Sequence, residues 1–325
     1  MTSPAKRPWH MFYPLAGIIL LCLVWSGYWY VAFNSTKELT QSKRQELRGI
    51  GLELTCAQES WGGFPFRFEF QCEAASLSYI HNNETLNLQS TKIVAVAQAY
   101  NPAHILLLID GPTLLTKAKT DIATLAHERA LISITFNHQG EWDVSSEVAK
   151  VNAQGLFSAA SLNFYARQIK DKLDLAANAE RLVILGPNNS LNPITKAEVI
   201  AHTSAAFLNT QSPLDYAAST SEPLTISALK ISTGPVNFDA QGEVFLDSNH
   251  RLNGKLSSQT NDIDGLLNFI TPIFELKGKD KAAMKSLLGL VGNDQNTTTK
   301  KADFTAKNGT LSWGPFKLAD LKPLY

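Results

Sequence analysis

The residues of this chain best suited to covalent chemistry are its three cysteines. Cys22 lies in an uncharged apolar stretch, whereas Cys56 and Cys72 are the two in the remainder of the chain. Two cysteines in an exported domain are typical of a disulfide, which would stabilise the fold by about 3 kcal/mol in the chain-entropy model. A hairpin turning at Gly62-Gly63 would leave them out of register, so the bridge needs a turn nearer Phe64-Pro65 or a third strand. Alternatively, both are small buried apolar residues.

The other side chains capable of acid–base or metal chemistry form no local motif. The seven histidines are scattered, and the sequence has no H-E-x-x-H, C-x-x-C, phosphate-binding glycine loop or G-x-S-x-G elbow. Turns and helix caps explain Asp247, Asp262 and Asp264. We therefore predict that the protein is not an enzyme and has no catalytic residue, metal site or cofactor. An exported hydrolase would instead require distant Ser, His and Asp side chains to meet in a pocket.

A row of aromatic residues is the strongest positional feature. Period-two alternation over nine residues predicts a half-buried strand with phenylalanines on one face. These are Phe64, Phe66, Phe68 and Phe70. Their face either lines an apolar groove open to acyl chains or packs as an ordinary core. Arg67 lies on the opposite face. It is either an exposed residue paired with Glu69, or a cation that binds a lipid headgroup or a buried partner.

The segment that precedes these residues is apolar enough to span a membrane. Residues 11–33 contain no charged residue and are long enough to cross a hydrocarbon core of about 30 Å. Aromatic residues at the far end, among them Trp25 and Trp29, are typical of a membrane interface. A cleaved signal peptide would have a shorter apolar core and a small-residue cleavage site. We therefore predict an uncleaved transmembrane helix at residues 11–33.

The basic residues that flank this helix and other features of the chain indicate opposite orientations in the membrane. Lys6 and Arg7 precede it, whereas four basic residues follow it within residues 34–49, so the count alone places the N-terminus outside. Two features favour a cytoplasmic N-terminus instead: the tail, residues 1–10, is short, and the large domain contains two cysteines that could pair. We predict a cytoplasmic tail at residues 1–10 and an exported domain.

The rest of the chain predicts a short helix and then a large β domain. Residues 34–49 are polar and helical in pattern, which indicates a stalk. Residues 50–325 alternate in hydropathy, and we predict strands at 76–80, 87–97, 105–110, 131–137, 156–168, 172–185, 225–231, 236–246 and 251–258. Two helices are expected late in the chain, one ended by Pro272 and one beginning at Asp280. Residues 202–221, rich in Ser, Ala and Thr, are expected to be a loop or a soft internal boundary.

Fold class and partner class follow from these patterns. We expect a mainly β (α+β) protein: one N-terminal transmembrane helix, then a large curved antiparallel β domain with a few late helices. Basic and acidic residues balance at 29 each, so no global positive field is available to bind nucleic acid.

Motifs near both ends of the domain carry a family resemblance. They are Cys56, the run Gly63-Phe64-Pro65-Phe66-Arg67, Cys72, the stretch 308–318 and the ending 321–325. On these residues the chain resembles the domain of unknown function 2125 family, uncharacterised alphaproteobacterial membrane-anchored envelope proteins. The resemblance implies a bacterial inner membrane and a periplasmic domain, but no catalytic residues. Residues 242–247, 251–256 and 264–267 suggest a weaker similarity to AsmA-like envelope proteins, whose curved sheets are tied to lipid handling.

The function predicted from these features is a membrane-anchored, non-enzymatic envelope protein. Its curved sheet would bind or pass lipid, or support envelope integrity, with lipid acyl chains as ligands. The alternative is an envelope interaction scaffold with a dry core that recruits protein partners through its sheet edges.

Overall fold

The apolar N-terminal stretch and the polar segment behind it form one helix, α1, from Tyr13 to Gly49. At 1.5 Å per residue, its 37 residues span about 56 Å, nearly twice the thickness of a bilayer's hydrocarbon core. The predicted anchor and the predicted stalk are thus continuous. The computed structural model describes residues 12–49, 51–81, 84–117, 120–184, 193–209, 213–274, 276, 278–290 and 300–323. The predicted tail, residues 1–10, lies outside them.

Period-two alternation gives seventeen strands within the described residues. The first nine are β1 (Leu52–Thr55), β2 (Gln58–Gly62), β3 (Arg67–His81), β4 (Glu84–Gln98), β5 (Asn101–Lys117), β6 (Thr120–Ala126), β7 (Arg129–Phe136), β8 (Trp142–Ala153) and β9 (Phe157–Ile169). The others are β10 (Lys172–Ile184), β11 (Ile194–Ser204), β12 (Leu224–Thr233), β13 (Val236–Leu246), β14 (Leu252–Thr260), β15 (Lys300–Lys307), β16 (Thr310–Trp313) and β17 (Phe316–Asp320). The mainly β, antiparallel fold class is therefore confirmed.

The strands pair antiparallel and largely in chain order, as a meander. β1 and β2 both pair with β3, at its two ends. From β3 the ladders run through β4 and β5, then through β7 to β8 and onward to β17. β6 is inserted beside β7 and pairs with β5 and β8. Most neighbours are thus joined by short hairpins, which keeps their register local.

Helices pack late in the chain, as the sequence predicts. A 3₁₀ turn (Ala205–Asn209) and α2 (Pro213–Thr220) join β11 to β12, and α3 (Ile263–Phe274) and α4 (Gly278–Leu290) join β14 to β15. The Asp262 side chain accepts a hydrogen bond from the Gly265 amide at 3.0 Å, which caps α3 as expected. Their apolar side chains close a core on β13 and β15 around Phe238, Leu267, Met284 and Trp313.

Some predicted boundaries are wrong for local reasons. β5 continues through Gly111-Pro112. At this point its pairing partner changes from β7 to β6, so the proline does not have to donate a ladder hydrogen bond. α3 extends past Pro272 to Phe274. β11 was not predicted and takes up the first residues of the segment expected to be a loop at 202–221. The soft boundary proposed there stays a prediction.

Candidate functional site

One face of the sheet carries an unbroken line of apolar side chains from strand to strand. Residues paired in register lie on the same face, so the ladders define the line directly. It comprises Phe68, Ala97, Ile105, Ile134, Val144, Ala166, Leu175, Ala201, Ile226, Gly242, Leu256, Phe304 and Trp313. At a strand spacing of about 4.8 Å, its twelve steps extend about 58 Å along the sheet.

Two parallel lines on the same face are also mainly apolar. One begins at Phe70 and continues through residues such as Leu107, Phe164 and Val199. The other begins at Cys72 and reaches Phe238. We call the surface made by the three lines the apolar face. The few polar members, such as Ser146 and Ser258, do not divide it because the neighbouring lines remain apolar there.

The two ends of the apolar face are covered and its middle is open. At β3, Phe68 is buried against Trp29 of α1, and at β13–β15 the helices α3 and α4 cover Phe238 and Trp313. Between them, most side chains of the face are only half-buried, and Phe164 is exposed. In the described part of the chain, α3 reaches Leu229 and Ile231 of β12, and contacts of the helices with β4 to β11 are sparse. The open stretch is therefore a groove between two helical ends.

Two apolar cavities lie along this groove. One, of about 350 Å³, is walled by Val148, Leu162 and Val199 among others. The second, of about 290 Å³, lies under α3 and is walled only by apolar atoms. Leu229 and Ile231 belong to both walls, so the two cavities are neighbours along the face.

α1 is fastened to the sheet by hydrogen bonds from its aromatic side chains. The Trp25 and Trp29 indole N–H groups donate to the carbonyl oxygens of Pro65, at 2.9 Å, and Arg67, at 3.1 Å. The Tyr28 hydroxyl donates to the Ala99 carbonyl at 2.9 Å. Sequence reasoning placed these aromatic rings at a membrane interface but missed that they bind the tips of two hairpins.

The predicted stalk also contacts the sheet. Arg44 places its guanidinium 4.9 Å from the centroid of the Phe70 ring and forms an ion pair with Glu59 at 2.7 Å. Arg48 pairs with Glu53 of β1 at 3.0 Å. Because Arg44 is partly buried, its stacking contributes more than an exposed pair would. The second half of α1 is thus a packed element of the domain, while the predicted domain division stays a prediction.

Cys56 and Cys72 are bonded, as predicted. Cys56 lies in the interruption between β1 and β2, and both strands pair with β3, which contains Cys72. The chain reverses at residues 64–66, where the Arg67 amide donates to the Gly63 carbonyl at 3.0 Å. A turn near Phe64-Pro65 is one of the two solutions that the sequence left open. The bridge ties both edge strands to β3 beside the apolar face.

The predicted phenylalanine row divides into two parts, so its prediction as one strand face is wrong. Phe64 and Phe66 lie in the turn before β3, because proline between them donates no ladder bond and Gly63 takes a positive φ of 106°. A Cβ at Gly63 would lie 2.4 Å from the Arg67 carbonyl oxygen, so the turn requires glycine. Phe68 and Phe70 are buried on β3, whereas Phe64 and Phe66 are exposed beside α1.

Arg67 has a partner on its own strand. Its guanidinium lies 2.8 Å from the Glu69 carboxylate, and its side chain is more than half exposed. The Arg67 backbone carbonyl accepts the hydrogen bond from Trp29, so the residue itself lies beside α1. A contact with a lipid headgroup stays a prediction, now with the Glu69 ion pair as its competitor.

The structure brings together two serine–histidine pairs that the sequence did not indicate. His104 Nε2 lies 2.8 Å from Ser133 Oγ, and His202 Nδ1 lies 3.2 Å from Ser227 Oγ. His104 and His202 each neighbour a member of the apolar line, so both lie on the opposite face. No carboxylate partner for either imidazole, and no cluster of three metal-binding side chains, occurs among the described residues. That the protein is not an enzyme stays a prediction.

Several carboxyl groups at the α3 end of the sheet have a lowered pKa. The Lys255 ammonium, 2.6 Å from Asp303, hydrogen-bonds that carboxylate and holds its pKa below the ordinary value. The Asp247 pKa is also lowered, first by the hydrogen bond from the Arg251 amide. Asp247 supports the β13–β14 hairpin and Asp303 links β15 to β14, so these shifts mark structural interactions rather than a reactive centre.

Comparison with known proteins agrees with the motifs at both ends of the domain. No curated protein matches the chain. The similarity to AsmA-like proteins stays a prediction. A model of an uncharacterised protein family conserved in bacteria, DUF2125, matches residues 29–322, from the last tryptophan of α1 to just beyond β17. Because this match spans most of the chain, the protein belongs to the DUF2125 family.

Proposed function

We propose that this protein is a membrane-anchored, non-enzymatic component of the bacterial envelope that binds or passes lipid along its apolar face. The N-terminal half of α1 would sit in the inner membrane, with the β domain in the periplasm. The observation that supports this most is the open middle of the apolar face. An acyl chain is an extended apolar ligand, and covering half-buried Leu, Ile and Val side chains releases about 25 cal/mol for each Å² of apolar surface removed from water.

The geometry also favours lipid over a protein strand as the ligand of this face. A protein partner that adds to a sheet pairs with an edge, whereas here the unfilled surface is the broad side of β4 to β11. The face begins at Phe68, which is packed on the membrane helix through Trp29. A ligand that leaves the bilayer therefore meets the start of the face first.

The test is to identify the lipids that remain with the full-length protein after detergent extraction, by mass spectrometry. Two adjacent residues of β11 supply a matched pair of variants. Val199 lies on the apolar face, and Ile200 points to the opposite face and is exposed. Val199→Asp places a charge in the groove and should remove most of the retained lipid, whereas Ile200→Asp should retain it.

Two results would count against the proposal. One is an unmodified protein that retains no lipid above the level of an unrelated single-pass protein. The other is equal loss of lipid in both aspartate variants, which would indicate a general effect of charge. A dry, unliganded protein would favour the interaction scaffold instead.

A further inference from the structure

A large apolar cleft separates α1 from the tips of two hairpins, at the level where α1 leaves the apolar segment. Its volume is about 1030 Å³, at the upper end of the range for ligand sites, about 300–1,000 Å³. α1 contributes Leu21, Val24 and Trp25, and the hairpin tips contribute Phe64, Phe66 and Tyr100. Nearly all of the exposed lining is apolar.

The position of the cleft along α1 places it within reach of the bilayer. Trp25 lies about 20 Å along the helix from Phe12, and the hydrocarbon core is about 30 Å thick. Every described residue of α1 before Trp25 is exposed, and burial against the sheet begins there. The hairpin tips therefore meet α1 before it has emerged from the membrane.

The tips themselves have the composition of a membrane-inserted surface. Phe64, Phe66 and Tyr100 are 60, 63 and 66% exposed, which is unfavourable for three neighbouring large rings in water. Aromatic rings are enriched where a protein meets the bilayer interface. Their exposure is thus explained if the tips lie in lipid.

Backbone carbonyls at the hairpin tips are hydrogen-bonded within the protein, as an environment without water requires. An unpaired carbonyl in hydrocarbon costs several kcal/mol, but here the carbonyls of Pro65, Phe66 and Ala99 accept hydrogen bonds from within the protein. Trp25 donates to Pro65, Tyr28 donates to Ala99, and the Ala99 amide donates to the Phe66 carbonyl at 2.8 Å. This pairing is independent of the ring exposure and points to the same environment.

We infer that the cleft is a lateral portal, in which one acyl chain of a bilayer phospholipid lies before it reaches the apolar face. The inference rests on the proposed function and adds the route of entry. Adjacency supports it, because the Trp29 ring contacts both the cleft and the start of the apolar line: it lies 5.2 Å from the Phe64 ring and 6.0 Å from the Phe68 ring.

The test uses the full-length protein in bilayers of phosphatidylethanolamine and tritium-labelled phosphatidylglycerol. A photoreactive benzoylphenylalanine replaces, one at a time, Phe66 in the cleft, Val199 in the middle of the apolar face, or Leu23, an exposed residue of α1 outside the cleft. Irradiation follows extraction into detergent, which exchanges bulk lipid. We expect labelled lipid at Phe66 and Val199, severalfold more than at Leu23.

A plug in the cleft distinguishes a portal from a separate lipid site. Ser26 lines the cleft, whereas a side chain at Gly27 would meet open space. Ser26→Trp should abolish labelling at both Phe66 and Val199, and Gly27→Trp should leave both unchanged.

The possible results separate failure of the portal from failure of the proposed function. Labelling at Val199 that is unaffected by Ser26→Trp, or that occurs without labelling at Phe66, overturns the portal and leaves the proposed function standing. Equal labelling at Phe66 and Leu23 means bulk lipid and also overturns the portal. Labelling at Phe66 but not at Val199 contradicts both the proposed function and an entry route that serves the apolar face.

Discussion

The two ends of the sheet share an apolar face but differ on the opposite side. Near α1, the opposite face carries Val94 paired with Leu108 and Val96 paired with Leu106, all half-buried. Near α3, the corresponding positions carry Lys230, Asp239, Gln259 and Lys301. The α3 end is therefore built to have water on one side and its own helices on the other.

The two ends also differ in how much of the apolar face is covered by the chain itself. At the α3 end the chain supplies its own cover, because Leu267, Met284 and Trp313 are almost fully buried. At the α1 end, α1 covers only the part of the apolar face on β3, and the hairpin tips stay exposed. The α1 end is thus held together mainly by a disulfide bond and by hydrogen bonds and ion pairs, whereas the α3 end is held together by packing.

The largest expected effect is on the packed end. Leu267→Ala removes a fully buried side chain and should lower the free energy of unfolding by about 2–5 kcal/mol through lost burial and a residual cavity. Hydrogen exchange should show lost protection in β13 to β15 but not in β3 to β5. Leu156→Ala, at a half-exposed leucine, serves as the control and should change stability by less than about 0.5 kcal/mol. Equal loss of protection at both ends would show that they unfold as one unit.

The next effect belongs to the α1 end. Replacing Cys56 and Cys72 with serine should cost about 3 kcal/mol, since the bridge closes a loop of 16 residues. Protection should fall first in β1 and β2, which the bridge ties to β3. Cys22→Ser should leave stability unchanged, because Cys22 is a free, exposed cysteine. An unfolding midpoint that is the same in oxidised and reduced protein would contradict this prediction.

A smaller effect should follow the loss of one indole hydrogen bond. Trp29→Phe keeps an aromatic ring beside Phe64 and Phe68 but removes the donor to the Arg67 carbonyl. We expect a loss of about 1 kcal/mol and faster amide exchange at the start of β3. Tyr30→Phe, on an exposed part of α1, is the control. A larger loss in the control than at Trp29 would mean that the hydrogen bond does not hold the two elements together.

The smallest effect is that of acid on the α3 end. Because the folded-state pKa values of Asp247 and Asp303 are lowered, their contribution is complete above the ordinary carboxyl pKa, near about 4. It is lost as the pH falls through the lower folded-state values. Exchange in β13 to β15 should therefore accelerate slightly as the pH falls below about 4, and Asp303→Asn should reduce this dependence. Acceleration confined to β3 to β5 would show that acid destabilises the α1 end rather than the α3 end.

The sequence predicted the features that depend on local pattern. Alternation revealed most of the strands, the uncharged run revealed the apolar part of α1, which is long enough to span a membrane, and the count of cysteines revealed the Cys56–Cys72 bridge. The alanine- and threonine-rich β11 escaped because small residues give little alternation of hydropathy.

The candidate site could not be predicted in the same way, because it depends on register. The neighbours Phe68, Ala97 and Ile105 are aligned only when the ladders of β3, β4 and β5 are known, and a shift of one residue would turn each side chain to the other face. Whether Phe64 and Phe66 lie in the strand or in the turn depends on the residue at which the chain reverses. Gly63 and Pro65 together set that residue.

One consequence follows from α1 being a single unbroken helix. Its exposed apolar portion and the portion fastened to β1, β2 and β3 have no joint between them, so a change in the tilt of the helix would be transmitted to the sheet. A thinner or thicker bilayer, which changes the tilt of a spanning helix, would swing the far end of the sheet through a much larger arc. The reach of the domain across the envelope would then be set by the lipid composition around its first helix.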